Sequence, residues 1–195
     1  MTHYYDEKQT STYEPILLNI KTKKDSFTLY SASGTFSVKR LDKGSETLIN
    51  YARPPTQGTL LDLGCGYGVV GLAIKRQHPE LHITLSDVNE RALSLAKKNA
   101  EHLKLDVTIK KSDLFSKLEQ FDCILVNPPY VAGRKLIFEL IEQAHNHLNK
   151  KGTLQLVARH QKGGKVLEKK MQEVFDNVET LGKSAGFRVY SSIKS

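Results

Sequence analysis

The sequence predicts an α/β fold: a mostly parallel seven-stranded sheet with helices on both faces and one antiparallel strand, plus a small N-terminal β extension. Three observations predict it. From about residue 58, short apolar runs alternate with amphipathic stretches of helical period. A glycine-rich segment, "LGCGYG", follows directly on the first of these runs. The last two β-type stretches have no helix between them, so at least one must run antiparallel to the rest.

The elements follow in order. "TLLDL" (59–63) is a buried strand and "VVGLAIKRQ" (69–77) a helix. "HITLSD" (82–87) is the next strand. "NERALSLAKKNAEHL" (89–103) follows as a helix, with Ala92, Leu93, Ala96, Ala100 and Leu103 on one face. "VTIKK" (107–111) and "CILVN" (123–127) are further strands. Between 133 and 149, Leu136, Ile137, Leu140, Ile141, Ala144 and Leu148 mark another amphipathic helix. "GTLQLVA" (152–158) is a strand, "KVLEKKMQEVF" (165–175) a helix, and "VETLGK" with "FRVYSSI" a closing pair. The first 40 residues do not fit the alternation: "FTLYSAS" and "TFSVKR" read as a small β appendage leading into a helix near 45–53.

Composition narrows the function classes. The 195 residues suit one domain with a buried core, and no apolar run nears the roughly 18 residues of a membrane span. The polar N-terminus is unlike a secretion signal, and Cys65 and Cys123 have neither disulfide nor metal spacing, so a cytoplasmic protein is expected. His145 and His147, two apart on a helix, face different ways, and no metal site is expected. Lysine and arginine number 29 against 21 acidic residues, a net charge of +8, which favours an anionic partner such as a nucleic acid.

The candidate site lies at the strand ends. Gly64, Gly66 and Gly68 let a ligand approach the main chain. Asp87 ends the second strand, where it can accept from ribose hydroxyls, and Val88 follows it. In "SDLF" (112–115), Asp113 can accept from an adenine amino group beside the backbone N–H of Leu114; alone, the same stretch is a helix cap or turn. Gly66, Gly68 and Gly71 also satisfy the dinucleotide pattern GxGxxG, a weak signal by itself. "NPPY" (127–130) closes the fourth strand of the sheet, opposite the glycine loop. An exocyclic amine on a base is a poor nucleophile because its lone pair is delocalised. Two acceptors aimed at its N–H bonds, the Asn127 side-chain carbonyl and the Pro128 backbone carbonyl, favour a pyramidal nitrogen. Proline restricts the backbone there, and Tyr130 offers a stacking face.

Asp62 with Gly64, Gly66 and Gly68, the "DxGxGxG" arrangement around Cys65, resembles the first motif of class I S-adenosylmethionine (SAM)-dependent methyltransferases. Asn127, Pro128, Pro129 and Tyr130 resemble the fourth motif of amino-methyltransferases. "GTFSVKRLDKGS" (34–45), "LDLGCGYGVVGL" (61–72), "DVNERAL" (87–93), "NPPYVAGRK" (127–135) and "QKGG" (161–164) are together similar to the small-subunit (16S) rRNA guanine-N2 methyltransferase family. This resemblance implies a Rossmann-like class I methyltransferase domain over 46–195, with residues 1–45 as an extension packed on the core. It implies SAM as cofactor, held by Asp62, Gly64, Cys65, Gly66, Gly68, Asp87, Val88, Asp113 and Leu114. Asn127 to Tyr130 would be catalytic, the stretch from Asp42 to Ser45 would border the cofactor pocket with Phe36, and Phe36, Arg134 and Lys135 would meet substrate. The implied partner is RNA, 16S rRNA or a small-subunit particle. Glutamine and adenine N6 methyltransferases share NPPY, and a non-enzymatic RNA-binding or assembly factor would predict a damaged glycine loop.

Overall fold

A computed structural model describes residues 15–32, 40–128 and 133–195. Seven strands form the sheet: β3 (Gly58–Leu63), β4 (Leu81–Asp87), β5 (Thr108–Lys111), β6 (Phe121–Val126), β7 (Leu148–Arg159), β8 (Glu179–Ser184) and β9 (Phe187–Ile193). Their order is β5-β4-β3-β6-β7-β9-β8. β9 runs antiparallel to both neighbours and the other pairings are parallel. Chain order reverses at β3, which places a crevice at the carboxyl ends of β3, β4 and β6.

Each strand alternates its side chains between two cores. Leu60, Leu85, Cys123, Leu125 and Val157 face one, which also takes in α1 (Lys43–Tyr51), α2 (Val69–Gln77) and α3 (Glu90–Leu103). Leu61, Leu63, Ile124, Val126, Leu154 and Leu156 face the other, beneath α4 (Arg134–Asn146) and α5 (Lys165–Phe175). The helix period in the sequence is met closely: α2 and α5 begin and end at the expected residues. Asn89 caps α3, its side chain accepting from the Ala92 N–H at 3.1 Å. β7 starts four residues earlier than expected, because Asn149, Lys150 and Lys151 hide a strand whose pairing begins at Leu148.

Outside the sheet, β1 (Pro15–Lys21) and β2 (Ser26–Ala32) form an antiparallel hairpin. β2 lies within the expected appendage, but its partner is "PILLNIK", a stretch without clean strand alternation in the sequence. Leu18 and Ile20 are buried while Ile16 and Leu17 are exposed, so two adjacent apolar residues blur the pattern. "TFSVKR" lies almost wholly outside the described residues.

Asn99 of α3 fastens this hairpin to the sheet's glycine loop. Its Oδ1 accepts from the Tyr30 N–H at 2.7 Å, and its Nδ2 donates to the carbonyls of Tyr30 and Tyr67, both at 2.9 Å. The side chain is fully buried, so breaking any of these bonds strands a polar group away from water. Asn99→Ala is expected to lower unfolding free energy by on the order of 3 kcal/mol. Urea denaturation checks this; a loss below about 1 kcal/mol would remove Asn99 from its bridging role.

Candidate active site

Register aligns the site. Leu63 pairs with Ser86 on one side and Val126 on the other, so Gly64, Asp87 and Asn127 leave the sheet side by side. Gly64 and Gly66 adopt φ of 68° and 56°, a left-handed geometry that glycine takes without strain. A Cβ built on Gly64 would meet nothing within 4 Å, so the loop turns a bare backbone toward open space.

Asp87 and β4 brace the loop from below. The Cys65 N–H donates to the Ser86 carbonyl at 2.9 Å. The Asp87 carboxylate accepts from the Gly66 N–H and the Asn89 N–H, one on each oxygen, both at 2.9 Å. Asp62 is buried beneath the loop, its Oδ2 accepting from the Gly71 N–H at 2.8 Å. Burial pushes its carboxyl up to about 7; the Gly71 N–H opposes this and the Asp87 charge adds to it. Burial, helped by the Asp87 and Asp62 charges, also raises the Cys65 thiol, which makes it inert.

Beyond Asp87 the Ser112 N–H donates to the Asp87 carbonyl at 3.1 Å, drawing the next turn against the site. Ser112 Oγ then donates to the carbonyls of Leu114 and Ser116 at 2.8 and 2.7 Å, holding Leu114 at a φ of 46°. Asp113 is exposed on this turn, and Val88 and Leu114 are half-buried.

On the other side, Asn127 is half-buried and Pro128 buried. Asn127 Nδ2 donates to Asp42 Oδ1 at 3.2 Å and to Ser45 Oγ at 3.1 Å. The same Asp42 oxygen caps α1, accepting from the N–H groups of Gly44 and Ser45 at 2.9 and 3.0 Å. A carboxylate oxygen accepts hydrogen bonds, so the amide nitrogen is the Asn127 atom that meets Asp42, and Asn127 Oδ1 is left to accept from another donor. Gly44 permits the approach, since a Cβ there would lie 2.9 Å from Asn127 Oδ1 and 3.0 Å from Asp42 Oδ1. Asp42 Oδ2 and the Tyr67 hydroxyl are buried and have no hydrogen-bond partner among the described residues. Burial, and then the Asp42 charge, push the Tyr67 phenol well above its ordinary range.

The structure therefore gathers Asp62, Gly64, Cys65, Gly66, Gly68, Asp87, Val88, Asp113, Leu114, Asn127 and Pro128 at one rim. Pro129, Tyr130 and Phe36 lie outside the described residues. Arg134 and Lys135 are exposed in the first turn of α4. Sequence reasoning places Asp42 to Ser45 beside the cofactor pocket but does not join them to Asn127, which lies 85 residues from Asp42. A capping Asp before "KGS" marks a helix start, but nothing local marks its distant partner. Among the described residues no group of three or more His, Cys, Asp or Glu side chains could hold a metal, and no helix is long and apolar enough to cross a membrane.

This strand order, with a glycine loop after β3 and a single antiparallel strand next to the edge, defines the Rossmann-like methyltransferase class. The sequence profile of the methyltransferase small domain family matches residues 26–191, and the chain belongs to that family. It is 36% identical to the uncharacterized protein YbxB of Bacillus subtilis, over 98% of both chains. It is also 36% identical to ribosomal RNA small subunit methyltransferase C of Haemophilus influenzae, over 86% of this chain and 51% of that protein. The chain thus spans about half the length of the methyltransferase C relatives it matches. The fold is shared with the 16S rRNA N2 methyltransferase RsmC of T. thermophilus, solved with AdoMet and guanosine. The TM-score is 0.78 at 23% identity, over 95% of this chain and 52% of that one. A methyltransferase of Pyrococcus furiosus gives a TM-score of 0.64 at 21% identity, over 71% of this chain and 76% of that one.

The raised Asp62 carboxyl predicts a pH signature. The folded chain binds this proton more tightly than the unfolded chain, whose carboxyl titrates near the ordinary 3.8. The group therefore carries no penalty below about pH 4 and destabilises progressively as pH rises toward about 7. Asp62→Asn keeps an acceptor for Gly71 and removes the penalty. The variant should match the parent in urea near pH 4 and exceed it near pH 8 by about 1.4 kcal/mol or more. A difference independent of pH would contradict the protonated Asp62.

Proposed function

We propose that the chain is a SAM-dependent N-methyltransferase acting on guanine N2 in small-subunit rRNA, in the cytoplasm. The observation that carries this reading is Asn127: its amide nitrogen is tied to α1, which leaves its carbonyl oxygen to accept from an incoming amine. The family membership and the methyltransferase C relatives support the same reading.

The residues present fit SAM. The bare backbone at Gly64 accepts close approach, and we assign the Asp87 carboxylate at the end of β4 to the ribose hydroxyls. We place the adenine against Asp113 and the Leu114 N–H. When bound, SAM supplies a methyl group on a sulfonium, whose carbon–sulfur bond breaks as the amine nitrogen bonds to the methyl carbon. Asn127 Oδ1 and the Pro128 carbonyl accept the two N–H bonds of that amine and orient its lone pair. The pre-set Asn127 rotamer lowers the ordering cost of this alignment. The methylated nitrogen then loses one proton to solvent, so the site needs no strong base. We assign Pro129 to the catalytic motif with Asn127 and Pro128, and Tyr130 and Phe36 to the walls of the base pocket.

Charge on the rim supports an RNA partner. The cofactor half carries Asp87 and Asp113. The other half ends in Arg159 of β7, paired in register with Phe187, and the turn between β8 and β9. Lys162, Lys165 and Lys183 are exposed there and Arg188 is half-buried, and among the described residues none of these four makes an ion pair. With Arg134 and Lys135 they give phosphates a cationic path from the site.

Tritium transfer from labelled SAM to naked rRNA, 30S particles and total protein in parallel tests the reading. Label on a guanine of 16S rRNA is expected; label on protein glutamine, on adenine, or on nothing would overturn it. Asn127→Ala should bind SAM within about threefold of the parent and lose turnover by about 100-fold or more. Calorimetry and initial rates separate the two effects, and retained turnover would remove Asn127 from its role.

Lys162→Ala combined with Lys183→Ala should weaken binding to an rRNA fragment. The slope of log affinity against log salt should fall by about 0.7 for each phosphate that the variant no longer neutralises. An unchanged slope would place the RNA elsewhere.

A further inference from the structure

Asp42 presents two oxygens in very different states. Oδ1 accepts three hydrogen bonds, from the N–H groups of Gly44 and Ser45 and from Asn127 Nδ2. Oδ2 accepts none among the described residues, although it is buried. A buried carboxylate oxygen without a donor is costly, and such atoms in native proteins usually have a reason. The Tyr67 hydroxyl is also buried and unpartnered, and it lies within electrostatic reach of Asp42. The carboxylate that holds the Asn127 amide therefore keeps one acceptor without a donor, and a phenol donor lies within its electrostatic range.

The conjugated amines that an Asn-Pro-Pro turn can serve differ in what flanks them. Adenine N6 sits between N1 and N7, both acceptors. Cytosine N4 lies beside N3, an acceptor, and a glutamine side-chain nitrogen lies beside its carbonyl oxygen. A carboxylate oxygen next to any of these meets lone pair with lone pair. Guanine N2 alone has a donor neighbour, N1–H, and beyond it the acceptor O6.

We propose that Asp42 Oδ2 accepts the N1–H of the target guanine while Asn127 and Pro128 hold its N2 amine, making Asp42 the residue that selects guanine. This inference rests on the methyltransferase reading above and supplies its base specificity. Tyr67 then donates to O6. Its phenol stays protonated at any working pH, because burial and the Asp42 charge both resist ionisation. One carboxylate so fixes the catalytic amide with one oxygen and reads the base with the other.

The test uses RNA fragments spanning the methylated guanine, with guanine or 2-aminopurine at that position. 2-Aminopurine keeps the N2 amine and carries a lone pair at N1. The wild-type chain should favour guanine in kcat/KM by about 100-fold or more, the scale on which a site rejects an analogue that leaves a buried polar group unpaired. Asp42→Asn keeps a good helix cap and an acceptor for Asn127, but turns the free oxygen into an N–H donor. The variant should lose rate on guanine, gain rate on 2-aminopurine, and bring the preference within tenfold of unity or reverse it. Its loss of rate on guanine should exceed any loss of SAM affinity.

Equal wild-type rates on the two RNAs would overturn the proposal. So would a variant that loses both rates in proportion, or one that loses SAM affinity with its base preference intact, which would assign Asp42 to the cofactor. Should the amide variant fail to fold, Asp42→Ser, also a good cap, must still move the preference toward unity; an unchanged preference would overturn the proposal equally. Absence of wild-type transfer to any rRNA guanine would instead remove the underlying functional reading.

Discussion

The bond from Asn127 to Asp42 is the constraint on which the rest of the site depends. An asparagine at a strand end is ordinarily free to rotate, and a freely rotating amide presents donor and acceptor equally. Here the amide nitrogen is committed to a helix cap, so the oxygen's direction is settled before any substrate arrives. The commitment costs little extra order, because Asp42 must already be fixed to start α1. Helix initiation and amide orientation are thereby one event. That is why Gly44 lacks a side chain: a Cβ would intrude on both groups at once.

The same economy governs the cofactor half. Asp87 ends β4 and supports the glycine loop through Gly66, while its second oxygen fixes the turn into α3 at Asn89. Asp62 holds the first turn of α2 through Gly71 and is buried deeply enough to favour its protonated form. Two carboxylates close together beneath one loop could not both ionise cheaply in such a place. In this arrangement the motif's acidic residue acts as a scaffold for the loop, and a ligand would meet the backbone that it supports.

What was legible in the sequence was whatever repeats locally. The helical period placed α2 and α5 to the residue, and apolar runs located every strand of the seven-stranded sheet. β1 escaped because Ile16 and Leu17 are adjacent and exposed, which contradicts the alternation that marks a half-buried strand. The glycine loop and Asn127 were legible as neighbours at the strand ends because each directly follows an apolar run that pairs in the sheet. The partner of Asn127 was not. A side-chain contact across 85 residues leaves no periodic trace, and Asp42 satisfies every local expectation of a helix cap by itself.

The N-terminal hairpin shows how far such constraints propagate. It reads from sequence as an appendage, but Asn99 ties β2 at Tyr30 to the glycine loop at Tyr67 through a buried side chain. The Asp25–Arg76 pair joins the hairpin turn to the end of α2, and Lys98 lies 3.9 Å above the Tyr30 ring. Surface contacts like these contribute modestly, whereas the Asn99 bridge replaces three hydrogen bonds that the buried groups cannot obtain from water. Through Asn99 the hairpin and the glycine loop therefore share one buried set of hydrogen bonds, so the extension is packed into the structure that holds the strand ends.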